Sequence, residues 1–155
     1  MKQYADSIVS RVFVMFYDWF LDALRQDYEL MRVIKESARG SIRLLRHRKT
    51  GKKFILRQFC GSPEVYRKLL LISCANLPDI YEVSTKGSET LVLEEYIEGD
   101  TLGHLLQGAL FSTWETRDIV TQVCQALWVL HSIPWGLFIG TSSLKISSCG
   151  GGMRF

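Results

Sequence analysis

The sequence is poor in the residues that build metal sites and disulfide frameworks. It has four cysteines and three histidines in 155 residues. The cysteines are far apart, with no C-x-x-C pair and no histidine at ligand spacing, so the sequence predicts no zinc site. No secretory signal precedes them, and we therefore expect reduced thiols in a cytoplasmic protein.

An excess of charge of one sign is also missing. The net charge is +3, and the basic residues do not alternate with aromatic ones as a base-stacking surface would require. We therefore expect no nucleic-acid partner. The hydrophobic content of 47% is typical of a globular protein, and the length suits one domain or one lobe of a larger domain.

A long hydrophobic run is the third absence. Three charged residues interrupt the apolar stretch at 8–24, and its longest uncharged run is Val12 to Tyr17. A membrane span needs about 20 apolar residues. The helical spacing over residues 4–30 instead predicts an amphipathic helix that packs on its own domain, with a helix on a membrane surface as the alternative. Its apolar face comprises Val12, Met15, Phe16, Trp19, Phe20 and Leu24.

From Tyr28 onward the apolar pattern becomes that of strands. The stretch "YELMRVIKESARGSIRLLRHRKTGKKFILRQF" alternates in short runs and predicts three antiparallel strands. "SPEVYRKLLLI" follows as a helix, with Ser62 as N-cap and Pro63 at the first helical position. "PDIYEVSTKGSETLVLEEYI" predicts a hairpin that turns around Gly87. The fold class is therefore α+β, with five antiparallel strands and one helix inserted after the third.

Two further helices follow the hairpin. "TLGHLLQGAL" predicts a short one, and "STWETRDIVTQVCQALWVLHS" a long one. Ser112 or Thr113 caps the long helix, and Glu115 completes a start that is typical of a capping box. The buried face predicted for this helix comprises Ile119, Val123, Ala126, Leu127 and Leu130.

This order of elements resembles the small lobe of a protein kinase, followed by the first two helices of the large lobe. "LVLEEYIEGDTLGHLL" is similar to the last small-lobe strand, the hinge and the next helix, and "ALWVLHS" to the helix before the catalytic loop. The resemblance covers roughly Tyr28 to Ser132. It divides the chain into an N-terminal amphipathic helix (1–27), a small lobe (28–97), the hinge with the first large-lobe helices (98–132) and an irregular tail (133–155).

The resemblance implies a site for ATP with magnesium. "KESARGSI" aligns with the glycine-rich loop and keeps one of its three glycines, and "FILR" places Arg57 at the family's lysine. Glu64 would be the acid that pairs with Arg57, and Glu94 would be the gatekeeper. The alternatives are an ordinary turn at Gly40, a surface arginine, and a Glu64 favoured by the helix dipole alone. The implied ATP site comprises Ile34, Ser37, Gly40, Ile42, Ile55, Arg57, Glu64, Glu95, Ile97 and Asp100.

The family's catalytic loop, H-R-D-x-K-P-E-N, is absent after "LHS", and so is D-F-G. The codons of the tail are nevertheless compatible with His-Arg-Asp-Val-Lys-Pro-Glu-Asn in a shifted reading frame between Phe138 and Ile146. We therefore expect a chain that a frameshift truncates, with no catalytic and no metal-binding residues.

Two hypotheses of function follow from the resemblance. The first is a fragment of an ATP-dependent serine/threonine-type protein kinase, inactive alone, whose intact form would act on a protein substrate. The second is a non-catalytic, pseudokinase-like module with a binding or scaffold role. In either case the exposed faces of the long helix favour self-association.

Overall fold

The computed structural model describes residues 16–108, 110–132, 145–148 and 151–154. Two compact units divide these residues: a sheet unit, 16–71 with 80–96, and a helical unit, 72–79 with 97–132 and the last two strands. The elements are α1 (16–27), β1 (Tyr28–Ser37), β2 (Gly40–His47), β3 (Lys53–Cys60), α2 (Glu64–Leu69), β4 (Ile80–Lys86), β5 (Glu89–Glu95), α3 (Leu102–Gly108), α4 (Thr113–His131), β6 (Lys145–Ser148) and β7 (Gly151–Arg154).

The sheet unit is built on five antiparallel strands in the order β1-β2-β3-β5-β4. This confirms the expected five antiparallel strands with one helix after the third. Gly51 in the β2–β3 turn and Gly87 in the β4–β5 turn have φ of 72° and 62°. Glycine is favoured in both turns because it has no Cβ, which would clash with the backbone in this left-handed conformation.

Helix α1 covers one face of this sheet, but not through all the residues that the sequence predicted. Tyr17, Phe20 and Leu24 are buried against the sheet, whereas Phe16 and Trp19 are 57% and 65% exposed. Val12 and Met15 lie outside the described residues. The strand residues in this core are Leu45, Phe54, Leu56, Leu91 and Leu93.

The predicted helix over 4–30 also ran three residues too far, since β1 starts at Tyr28. Tyr28 pairs with His47 on β2, and its ring lies edge-on to Phe54 with centroids 5.4 Å apart. Sheet pairing and aromatic packing therefore override the helical spacing at this point.

Helix α2 begins one residue later than predicted. Pro63 is its N-cap, and the Ser62 hydroxyl accepts from the Glu64 N–H at 3.3 Å just outside the helix. The helix ends at Leu69, so Ile72 does not extend it as the apolar spacing suggested.

The helical unit contains α3 and α4. The capping box of α4 is confirmed: the Ser112 hydroxyl accepts from the Glu115 N–H at 3.3 Å, and the Glu115 carboxylate accepts from the Ser112 N–H at 2.8 Å. Ile119, Ala126 and Leu130 are buried as predicted. Leu127 was assigned to the buried face wrongly, since it is 41% exposed. Among the described residues, no helix has both the length and the apolar character needed to cross a bilayer.

Strands β6 and β7 lie within the tail that was expected to be irregular. They pair antiparallel, with Lys145 opposite Arg154 and Ser148 opposite Gly151. A hairpin needs only a short connection and tolerates polar or glycine-containing strands, so a sequence without a clear period can still form one. The rest of the tail, including the shifted-frame stretch before Lys145, lies outside the described residues.

Candidate functional site

A cavity of about 220 Å³ lies between the β1–β2 turn, strand β3 and helix α2. Four residues of the ATP site implied by the sequence line it: Ser37, Gly40, Ile42 and Arg57. The other lining residues are Lys35, Arg39, Ser41, Gln58, Phe59 and Tyr66. All the lining residues belong to the sheet unit, so the cavity lies within one compact unit.

The β1–β2 turn is held by a serine and a glycine. The Ser37 hydroxyl accepts from the Arg39 N–H at 3.3 Å and donates to the Gly40 carbonyl at 3.1 Å. Gly40 has φ of 150°, and a Cβ there would lie 2.1 Å from the Gln58 carbonyl oxygen. Gly40 is therefore a point of close backbone approach between β2 and β3, which only glycine permits.

At the base of the cavity, Arg57 forms an ion pair with Glu94. The Arg57 Nε lies 2.7 Å from the Glu94 Oε1, and the two side chains are 22% and 7% exposed. In the β3–β5 register Glu94 is opposite Ile55, which places it diagonally from Arg57 on the same face of the sheet. This face is opposite to the one that α1 covers, since Phe54 and Leu56 alternate with Ile55 and Arg57.

The pairing of Arg57 corrects the sequence-based assignment. Glu64, which the sequence suggested as the partner, is exposed at the start of α2. Helix α2 has fewer than two turns, and among the described residues Glu64 forms no ion pair with Arg57. The sheet instead supplies Arg57 with a buried carboxylate, that of Glu94.

The electrostatics of the site follow from burial and from this pair. Burial raises the pKa of the Glu94 carboxyl above its usual 4.5, while the charge and hydrogen bond of Arg57 oppose that rise. Burial also raises the pKa of the Tyr66 phenol; the charge of Arg57 lowers this pKa and the charge of Glu94 raises it. Lys35 and Arg39 form no ion pair with any described residue. The cavity thus has two unpaired cations at its edge and a paired one at its base.

Comparison with solved structures identifies the fold. Rad53 1–466, a protein kinase in complex with AMP-PNP, matches with a TM-score of 0.58 and 17% sequence identity, over 71% of this chain. The sheet unit has the fold of a protein-kinase small lobe. The match spans 32% of the Rad53 chain, about a third of its length. No protein-family model matches the sequence, and no curated protein matches it.

The small lobe does not bring every predicted site residue to the cavity. Ile55 is buried in β3, two residues before Arg57 and on the same face. Ile34 lies on β1 and is 45% exposed. Glu95 is the last residue of β5, and the two remaining residues, Ile97 and Asp100, follow it in the helical unit.

Two aromatic residues of this small lobe were missed by the sequence analysis. Phe59 and Tyr66 line the cavity, with ring centroids 5.5 Å apart. Strand alternation was the available signal for Phe59, because residues two apart on a strand share a face and Arg57 was already assigned. For Tyr66 no such signal existed, because its position depends on how α2 packs on the sheet.

Proposed function

We propose that this chain is a protein-kinase-like small lobe that binds the phosphates of ATP weakly and does not transfer them by itself. One observation carries the proposal: Ser37, Gly40, Ile42 and Arg57 line one cavity. These are the positions at which a kinase-like lobe holds a nucleotide through backbone N–H groups and a cation. The AMP-PNP bound to Rad53 is consistent with such a ligand.

The charges of the cavity favour an anion. Three of its lining residues are cationic, Lys35, Arg39 and Arg57, and none carries a carboxylate. The planar fork of an arginine can donate two parallel hydrogen bonds to a phosphate. The residues that line the cavity include no Asp or Glu, the carboxylates that bind magnesium in proteins, so magnesium would enter this cavity with the phosphates of ATP.

The finer identity of the parent protein is a further part of the proposal. We infer a serine/threonine-type kinase that acts on a protein hydroxyl, because the shifted-frame reading of the tail resembles that branch of the family. Its location in the cytoplasm is proposed from the scattered cysteines, which favour reduced thiols. The nucleotide sequence tests this inference. Codons between Phe138 and Ile146 that do not spell His-Arg-Asp in the shifted frame would contradict it.

Thermal unfolding tests ATP binding by the chain itself. A ligand that binds only the folded form must raise the melting temperature, and the rise grows with ligand concentration. We expect millimolar ATP with magnesium to raise the melting temperature of the wild-type chain and to have no effect on Arg57→Gln. The matched control is Arg46→Gln, which removes an exposed arginine of β2 that pairs with Glu29 away from the cavity. No rise in the wild type would contradict the proposal.

A non-catalytic scaffold role is the second candidate, and two observations favour it. Glu94 already neutralises Arg57 without any ligand. Helix α4 exposes large apolar side chains, with Trp114 and Trp128 73% and 75% exposed and Val120 54% exposed. Exposed apolar surface on this scale favours self-association or a protein partner. Light scattering tests this candidate: a monodisperse monomer at all concentrations would count against self-association.

A further inference from the structure

We propose that Glu94 sets the anion affinity of the cavity by holding Arg57, so that it acts as a built-in competitor for the phosphate. This inference rests on the proposed binding of ATP phosphates at the cavity. It makes Glu94 a specificity-determining residue, although its side chain does not line the cavity.

The geometry allows competition without excluding a ligand. The carboxylate of Glu94 engages the Nε of Arg57 at 2.7 Å. A guanidinium has five N–H donors, so those on the two terminal nitrogens remain available to a phosphate. Arg57 therefore need not leave Glu94 to bind an anion. Its charge, however, is largely cancelled at close range.

The burial of the Arg57–Glu94 pair determines how strongly Glu94 lowers the affinity for a phosphate. The Glu94 side chain is only 7% exposed, so solvent screens its charge poorly. A phosphate next to Arg57 would lie within a few ångströms of a second, buried negative charge. At an effective dielectric constant of about 20, such a repulsion is worth about tenfold or more in affinity.

Two cationic residues of β3 share a face with Ile55, which is opposite Glu94. Arg57 pairs with Glu94, and the Lys53 Nζ lies 5.5 Å from the centre of the Tyr96 ring. The Tyr66 phenol is neutral at neutral pH, since burial raises its pKa further above the usual 10.0. On the other side, the β4 residue opposite Glu94 is Ile80, which is apolar. Protonation of Glu94 is therefore the change that would release the charge of Arg57.

The test compares binding to four variants by titration calorimetry, with ATP–magnesium and with inorganic tripolyphosphate as separate probes. Glu94→Gln keeps the size of the side chain and removes its charge. We expect it to bind both probes about tenfold more tightly than the wild type. Arg57→Gln and the double variant Arg57→Gln/Glu94→Gln should show no such gain. Glu82→Gln, on the exposed side of β4, is the matched control and should bind as the wild type does.

The outcomes separate this inference from the proposed function. If the wild type binds ATP through Arg57 and Glu94→Gln binds no more tightly, the inference is overturned and the proposed function stands. If Glu94→Gln binds the probes and the wild type does not, the inference holds, and the proposal that the wild-type chain binds ATP is overturned. If no variant binds either probe, both are overturned.

A second measurement covers the case in which Glu94→Gln does not fold. Acidification protonates Glu94 in the wild-type chain and should raise its affinity for sulfate, an anion whose charge does not change in mild acid. Arg57→Gln should bind no sulfate at any pH in this range. A wild-type affinity for sulfate that does not rise in acid would contradict the inference.

Discussion

Arg57 of β3 and Glu94 of β5 are joined across the sheet, with Nε 2.7 Å from Oε1, on the face that α1 does not cover. A kinase-like lobe uses a cation at the position of Arg57 to hold phosphates, and a carboxylate on the following helix to orient that cation. Here the carboxylate comes from the end of the sheet instead. This relationship connects the candidate anion site to β5, the last strand of the sheet unit along the chain.

The pair predicts a specific dependence of stability on pH. Because burial raises the pKa of Glu94 above 4.5, its contribution to stability is fully present below that value and is lost as the pH rises through the folded-state pKa. Glu94→Gln lacks this titration. We therefore expect the wild type to lose stability relative to Glu94→Gln as the pH rises above 4.5, measured by urea unfolding. A difference that grows in favour of the wild type would show that Arg57 outweighs burial and lowers the pKa of Glu94.

The packing of α1 predicts unequal costs for neighbouring aromatic residues. Phe20 is 7% exposed in the core under the sheet, and Trp19 is 65% exposed on the same helix. We expect Phe20→Ala to lower the free energy of unfolding by about 3 kcal/mol, and Trp19→Ala by less than about 1 kcal/mol. Urea unfolding followed by circular dichroism measures both. Equal losses would place both side chains in the core, against the observed orientation of the helix.

Hydrogen bonds among Tyr17, Glu89 and Gln58 also connect α1 to the sheet. The Tyr17 hydroxyl donates to the Glu89 carboxylate at 2.6 Å, and Gln58 donates to the other oxygen of the same carboxylate. These bonds, Tyr17 first, lower the pKa of Glu89 below 4.5. Their stabilisation is therefore present above that value and is lost as the pH falls.

Removing one hydroxyl tests these hydrogen bonds. We expect Tyr17→Phe to cost about 1–2 kcal/mol near neutral pH and much less in acid. A double-mutant cycle with Glu89→Ala, which removes the acceptor, isolates the pair, and an interaction energy near zero would show that the hydrogen bond contributes nothing.

Alanine substitutions at two glycines with positive φ distinguish the cost of backbone strain from the cost of a steric clash with a neighbouring strand. At Gly51 a Cβ meets nothing within 4 Å, so Gly51→Ala should cost only the conformational penalty of about 1 kcal/mol. At Gly40 the same Cβ would also collide with the Gln58 carbonyl, so Gly40→Ala should cost more and should deform the cavity. Thermal unfolding of the two variants checks the order. Equal losses would indicate that β2 and β3 do not approach each other this closely.

The fold could be predicted largely from the sequence, because its signals are local. Strand alternation, the turn glycines and the Ser112–Glu115 capping box each depend on residues a few positions apart. The candidate site residues Gly40, Ile42 and Arg57 came from the resemblance to protein kinases, through the stretches "KESARGSI" and "FILR", and the structure places all three around one cavity.

The partner of Arg57 could not be predicted in this way. The resemblance to protein kinases suggested Glu64, whereas Glu94 lies 37 residues from Arg57 and meets it through the β3–β5 register. The helix α1 shows the same limit. The apolar spacing placed Trp19 on the buried face and left out Tyr17, but the tyrosine is buried in the core and its hydroxyl donates to Glu89. Which face of α1 packs on the sheet therefore depends on specific side-chain contacts as well as on hydrophobic spacing.

The most direct measurement is an NMR titration of the isotope-labelled chain with ATP and magnesium. If the cavity holds the phosphates, the largest shifts should fall on the backbone amides of Ser37, Gly40 and Ile42 and on the Arg57 side chain, and they should disappear in Arg57→Gln. No saturable shift, or shifts confined to α4, would contradict a phosphate site in this small lobe.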